Sequence, residues 1–201
     1  MDLIEKGVYV AYQGNKSAYI AMDEYFITRI PKGYLVESNN TIFGANGFQQ
    51  KAELRTDDFW QMQELQVTIE ALNIEMNAVV KDGTVYVRQK RQGGVEFEKN
   101  IVIQNDKYFF QYSGALIIPT IWLRGFDFDN FEKITCQMLP MGYAEVKQLP
   151  ELISDQGIRD FSLLMYVQHF TDIIKIQTDM SGKLLSLHSE TNQLTIKTQQ
   201  Q

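Results

Sequence analysis

From Leu65 the chain alternates apolar and polar residues: Leu65, Val67, Ile69 and Ala71 interleave with Gln66, Thr68 and Glu70. After a short turn the alternation resumes, with Ile74, Met76, Ala78 and Val80 set against Glu75 and Asn77. A period of two predicts strands with one buried and one wet face, the habit of antiparallel sheets. Asp82-Gly83 then stands between AVVK and TVYVRQK, a strong hairpin signal because a type I′ turn needs positive φ at both central residues. Val85 and Val87 continue the pattern, Gly93-Gly94 turns the chain, and Val95 and Phe97 alternate with Glu96 and Glu98. Near the end, Ile174 and Ile176 alternate with Lys175 and Gln177, Ser181-Gly182 makes a turn, and Leu185, Leu187, Leu194 and Ile196 mark the last strands. The N-terminal third follows less cleanly: Val8, Val10 and Tyr12 share one face, and Gln13-Gly14-Asn15 turns into Ala18, Ile20 and Met22.

Turn signals recur about every 8–12 residues, the spacing of a sandwich or barrel. The expected architecture is mainly β: one domain over residues 1–201, a single antiparallel curved sheet of about ten or more strands closing into a barrel or half-barrel. One or two short helices are expected, the helical patterns being DFDNFEK at 127–133 and PELISDQGIRDF at 150–161. The run YFFQYSGALIIPTIWL, from Tyr108 to Leu123, carries no charge. It is too short and too broken by Gly114 and Pro119 for a transmembrane helix, which needs about 20 apolar residues. It reads as a strand, a turn at Ser113-Gly114, and a second strand interrupted at Pro119, forming the wall and lip of an interior.

Composition narrows the partners. The net charge of −6 gives no electrostatic basis for nucleic acid, which demands a basic surface. The nearest basic group, Arg88, Lys90 and Arg91 with Lys81, alternates along a strand and reads as a solvated face or a guarded edge. Cys136 is the one cysteine, so no intramolecular disulfide forms. The N-terminal MDLIEKGVYVAYQG holds Asp2 and Glu5 and no apolar run of signal-peptide length, so a cytoplasmic location is expected.

Catalytic chemistry finds little support. His169 and His188 lack the ligand spacing of a zinc site and read as hydrogen-bonded structural histidines. Asp127 and Asp129 interleave with Phe126, Phe128 and Phe131; they lack the further oxygen ligands and glycine of a calcium loop, and read as one face of a strand. Asp57-Asp58 before Phe59-Trp60 reads as a turn with hydrogen-bonding side chains. No nucleophile elbow, phosphate-binding loop or dinucleotide fingerprint occurs. Cys136, flanked by apolar residues, reads as a buried inert thiol. No cofactor and no metal site is expected.

The twelve Phe, ten Tyr and two Trp direct attention to the interior, since such rings line either a core or a ligand pocket. The expected pocket wall is Phe110, Tyr112, Ile118 and Trp122, with Met138 and Trp60. The expected function is non-catalytic binding of an apolar or amphiphilic small molecule. Two alternatives stand beside it: a partner docked on the uncharged aromatic segment, or a hydrolase or isomerase of hydrophobic substrates using His169 or Asp127 and Asp129.

Several segments carry a resemblance: LRTDDFWQMQELQV (54–67), KDGTVYV (81–87), FDFDNF (126–131) followed by MLPM (138–141), VKQLPEL (146–152) and HFTDIIKIQTDMSGKLLSLHS (169–189). Their order resembles a bacterial family of proposed glycolipid-binding proteins, whose fold is similar to the periplasmic lipoprotein carriers. The resemblance covers about 130 residues in segment order. Before the Leu-Pro pair the family has a polar Thr-Asn stretch and after it arginines; here Thr135-Cys136-Gln137 precede and Met141-Gly142-Tyr143 follow. The resemblance implies a curved sheet that holds an amphiphile such as a glycolipid and performs no chemistry on it.

Overall fold

The computed structural model describes residues 2–14, 19–92, 94–110, 116–125, 133–139, 143–153, 157–167, 170–191 and 193–199. Within them the alternating segments become β1 (Asp2–Gln13), β2 (Tyr19–Ile30), β3 (Gly33–Ile42), β4 (Phe48–Thr56), β5 (Met62–Ile69), β6 (Ile74–Lys81), β7 (Thr84–Arg91) and β8 (Gly94–Val102). There follow β9 (Tyr108–Phe110), β10 (Lys133–Leu139), β11 (Tyr143–Ile153), β12 (Arg159–Val167), β13 (Phe170–Thr178), β14 (Leu184–Ser189) and β15 (Leu194–Thr198). All fifteen belong to one sheet, ordered β8-β7-β6-β5-β4-β3-β2-β1-β15-β14-β13-β12-β11-β10-β9. Chain neighbours pair antiparallel from β1 to β8 and from β10 to β15, β8 and β9 are the two edges, and β1 joins the two halves by pairing with β15. The β9–β10 pair alone is parallel among the described strands. A parallel pair needs a long crossover, and residues 111–132 supply it.

Local chemistry sets the turns. Asp82 and Gly83 both adopt positive φ, 49° and 71°, as a type I′ turn requires. Between β5 and β6 a single turn of 3-10 helix, η1 (Glu70–Leu72), ends at Asn73, whose left-handed backbone reverses the chain. The two ends of the sheet return toward each other. The Gln137 side chain on β10 donates to the Val102 carbonyl at the end of β8 and accepts from the Gln104 N–H, at 2.9 and 2.7 Å. Tyr108 of β9 donates its hydroxyl to the Met62 carbonyl of β5 at 2.9 Å. Side chains, rather than a continuous ladder, draw the edges together.

Burial alternates as the period of two demands: Leu65, Val67 and Ile69 face the core, as do Ala78, Val85, Val87, Ile174 and Ile176. In β1 and β2 the core takes the other phase. Tyr9 and Ala11, then Ala21, Tyr25 and Ile27, belong to the central cluster; of the other phase Val10 is buried outside that cluster, while Val8, Tyr12, Ile20 and Met22 are half-exposed. Asp23 shares the inward phase of β2 and is fully buried, so polarity alone misplaces the face.

Two other segments differ from expectation. Residues 150–153 are the end of β11 and 159–161 the start of β12, so 150–161 holds strand ends where a helix was expected; residues 127–132 lie outside the described set. The second strand expected around Pro119 is instead a 3-10 helix, η2 (Ile118–Gly125). Proline lacks the N–H a ladder needs but suits the first position of a helical turn. Thr120 fixes that turn by directing both its N–H and its hydroxyl to the Ile117 carbonyl, at 3.0 and 2.9 Å. Eight residues is long for this helix type, and packing on the sheet sustains it.

Candidate functional site

The site is built where η2 lies against the sheet. Two turns grip its C-terminal end, and they share one construction. In the β4–β5 connection Asp57 Oδ1 accepts the N–H groups of Phe59 and Gln61, both at 2.9 Å. In the β13–β14 connection Asp179 Oδ1 accepts those of Ser181 and Lys183, at 2.8 and 3.0 Å. In each turn the fourth residue has a left-handed backbone: Trp60 at φ 63° and Gly182 at φ 80°. A Cβ on Gly182 would lie 2.8 Å from Arg124 Cα, so only glycine allows η2 to approach. A Cβ on Gly125 would run into the Phe59 carbonyl of the other turn. The expectation that Asp57-Asp58 builds a turn holds, and Asp58 adds an ion pair with Arg29 at 2.7 Å.

A bulky residue at positive φ is strained, and the indole of Trp60 offsets that strain by stacking. It lies parallel to Tyr34 with ring centroids 3.7 Å apart. The Arg124 guanidinium covers it at 5.3 Å, and Arg29 covers Tyr34 at 4.6 Å. Arg124 therefore closes a four-layer stack. The same guanidinium bonds Glu5 at 2.8 Å with both side chains largely buried. Glu5 further accepts the Tyr25 hydroxyl at 2.7 Å and pairs with Lys183 at 3.4 Å. Burial pushes the Tyr25 phenol far above its ordinary value, and neighbouring Tyr9, stacked on it at 4.8 Å, adds to the rise. Both tyrosines stay protonated, and Tyr25 acts as a donor to Glu5.

The other end of η2 is anchored by Asp23. Its Oδ2 accepts the N–H groups of Leu116 and Ile117 at 2.6 and 3.0 Å, and its Oδ1 accepts the Ser38 hydroxyl at 2.6 Å. Burial raises the Asp23 pKa, while these hydrogen bonds oppose the rise. A matching pair recurs across the sheet, where Ser189 donates to buried Asp172 at 2.6 Å.

Between the two anchors the contact is apolar. Trp60, Phe110, Ile118 and Trp122 meet with Leu54, Met62, Tyr108, Phe109 and Ile121 around a residual space of about 10 Å³, room for one water at most. Phe109 and Trp122 stack at 4.7 Å. Four of the expected wall residues are thus together. Met138 is buried in the core beside them, in register with Phe109, but does not line that space. Tyr112 lies outside the described residues, as do His169, Asp127 and Asp129. Their period-two neighbours gave no hint of Asp23, Glu5 and Arg124 as anchors, because the contacts span 94 and 119 positions of chain.

The structure also places the other described candidates. His188 is exposed, with Nδ1 2.9 Å from the Thr195 hydroxyl. Burial pushes the Cys136 thiol up to about 12, so it is not a thiolate nucleophile. Arg88 and Arg91 pair with Glu98 and Glu96 at 2.9 and 3.8 Å across the β7–β8 hairpin. Among the described residues no three His, Cys, Asp or Glu side chains converge as metal ligands, and no helix is long and apolar enough to cross a membrane.

These features define a β-barrel-like protein with one large, curved, mostly antiparallel sheet. A similar fold is seen in the crystal structure of a beta-barrel-like protein of Domain of Unknown Function DUF1849 from Brucella abortus, with a TM-score of 0.56, 9% identity, and coverage of 96% of this chain and 94% of that one. A DUF1089 family protein from Pseudomonas aeruginosa is similar more loosely, with a TM-score of 0.47, 13% identity, and coverage of 87% of this chain and 92% of that one. No protein-family model matches the chain, and no curated protein matches it significantly. The likeness shows the β-barrel-like fold alone.

Proposed function

We propose that the protein binds an apolar or amphiphilic small molecule of the lipid or glycolipid class, without catalysis, on the concave face that η2 covers. One observation carries this reading. The concavity is filled by a separate crossover segment, whose middle presents only apolar surface to the aromatic wall. Polar fastenings hold its two ends, at Asp23 and at Glu5–Arg124. A hydrocarbon chain offers that wall the same chemistry as Ile118, Ile121 and Trp122, and each buried CH₂ contributes about 0.8 kcal/mol. Docking of a partner protein on the uncharged segment is disfavoured, because its described residues are buried.

Native mass spectrometry of the purified protein and titration with N-phenyl-1-naphthylamine test the reading. The expected results are a lipid-sized adduct and saturable uptake of the probe. Failure of both would leave η2 as a permanent part of the core.

A further inference from the structure

Three inward-facing positions at one level of the sheet are polar. Asp23 on β2 stands opposite Asn40 on β3, and Asn40 stands opposite Gln50 on β4. All three are at most 2% exposed. Directly opposed residues in neighbouring strands hold their Cβ atoms about 4.5–5.5 Å apart, so the side chains form a continuous row. The next level toward the β3–β4 hairpin is apolar, with Ala21, Ile42 and Phe48.

Asp23 is fully engaged by Ser38, Leu116 and Ile117. Asn40 is not. Among the described residues its Oδ1 and Nδ2, both buried, find no hydrogen-bond partner, a state that costs stability for each group. A leucine there would carry no such cost. Folding alone therefore gives no reason for the amide. Gln50, beside it, also lines a solvent-open groove of about 560 Å³ with Ile42, Phe43, Phe48 and the mutually paired Lys51 and Glu70, within the usual size range of small-molecule sites.

We propose that the row Asp23–Asn40–Gln50 is the headgroup subsite of the bound amphiphile, and that it selects a neutral group offering both a donor and an acceptor, such as a hydroxyl or an amide. The proposal rests on the binding role given to the concave face and adds the class of headgroup. A carboxamide presents one acceptor and two donors, which complement a hydroxyl or amide and leave an ion poorly matched. An anionic headgroup would face the Asp23 carboxyl across the row. A cationic one would find the oxygens of Asp23 already accepting three hydrogen bonds. The hydrocarbon chain runs the other way along β4, past buried Ala52 to Leu54 at the aromatic wall.

The test uses the full chain and three probes: N-phenyl-1-naphthylamine, monodecanoylglycerol and decanoate, the last two measured by displacement of the first. Wild type is expected to bind monodecanoylglycerol about tenfold more tightly than decanoate, the worth of one or two neutral hydrogen bonds. Asn40→Leu is expected to lose that tenfold preference and to melt no lower than wild type. Asn40→Ala, which shortens the side chain without filling the site, is expected to lose the preference too. If both variants bind monodecanoylglycerol like wild type, the headgroup subsite is wrong while the binding role of the concave face survives. If wild type takes up none of the three probes, the binding role fails and the subsite with it.

Discussion

Asp23 joins three parts of the molecule through one carboxylate: its own strand, Ser38 on β3, and the entrance to η2. Asp23→Ala would strip partners from two buried N–H groups, and a loss of about 3 kcal/mol in urea unfolding is expected. The pH dependence has a definite sign. Burial raises the folded pKa above the ordinary value of 3.8. The favourable contribution is therefore complete below that value and is lost as pH rises through the folded pKa. Asp23→Asn removes this contribution, so the stability of wild type relative to the variant is expected to fall as pH is raised from about 4. A difference that grew with pH would contradict this. Cys136, with its thiol pushed up to about 12 by burial, is expected to resist a disulfide reagent at pH 8 until urea unfolds the chain. That residue was readable as inert from its apolar neighbours. Asp23 was not, because an aspartate inside a sheet is stable only through partners distant in sequence.

At the scale of elements, the two Asp-led turns explain how η2 is held. The β13–β14 turn uses Gly182 where the β4–β5 turn uses Trp60, which makes a substitution series informative. Trp60→Gly relieves the left-handed strain but loses the stack on Tyr34 and Arg124; Trp60→Ala loses the stack and keeps the strain. The alanine variant is therefore expected to be less stable than the glycine variant by about 1 kcal/mol in urea unfolding. Equal stabilities would mean that the backbone at Trp60 is unstrained. The turn itself was legible in Asp57-Asp58, as hairpin chemistry was in Asp82-Gly83. The 3-10 geometry of η2 was not, since a short apolar run with a proline fits an edge strand equally well by pattern. Only the parallel β9–β10 pair and the anchors at both ends make the crossover necessary.

At the scale of the whole molecule, alternation with a period of two was enough to show one antiparallel sheet, because each strand buries a single face. How the sheet closes was not readable, since it depends on Gln137 bridging Val102 and Gln104, and on Tyr108 reaching Met62. The same holds for the site: its aromatic wall was visible in composition, whereas the element covering that wall became apparent only in three dimensions. The central claim is that a hydrocarbon chain can take the place of η2 on the concave face. Displacement of N-phenyl-1-naphthylamine by a homologous series of monoacylglycerols tests it most directly. Affinity is expected to rise about fourfold for each added CH₂ until the concavity is filled. A flat dependence on chain length, or no uptake of the probe at all, would contradict it.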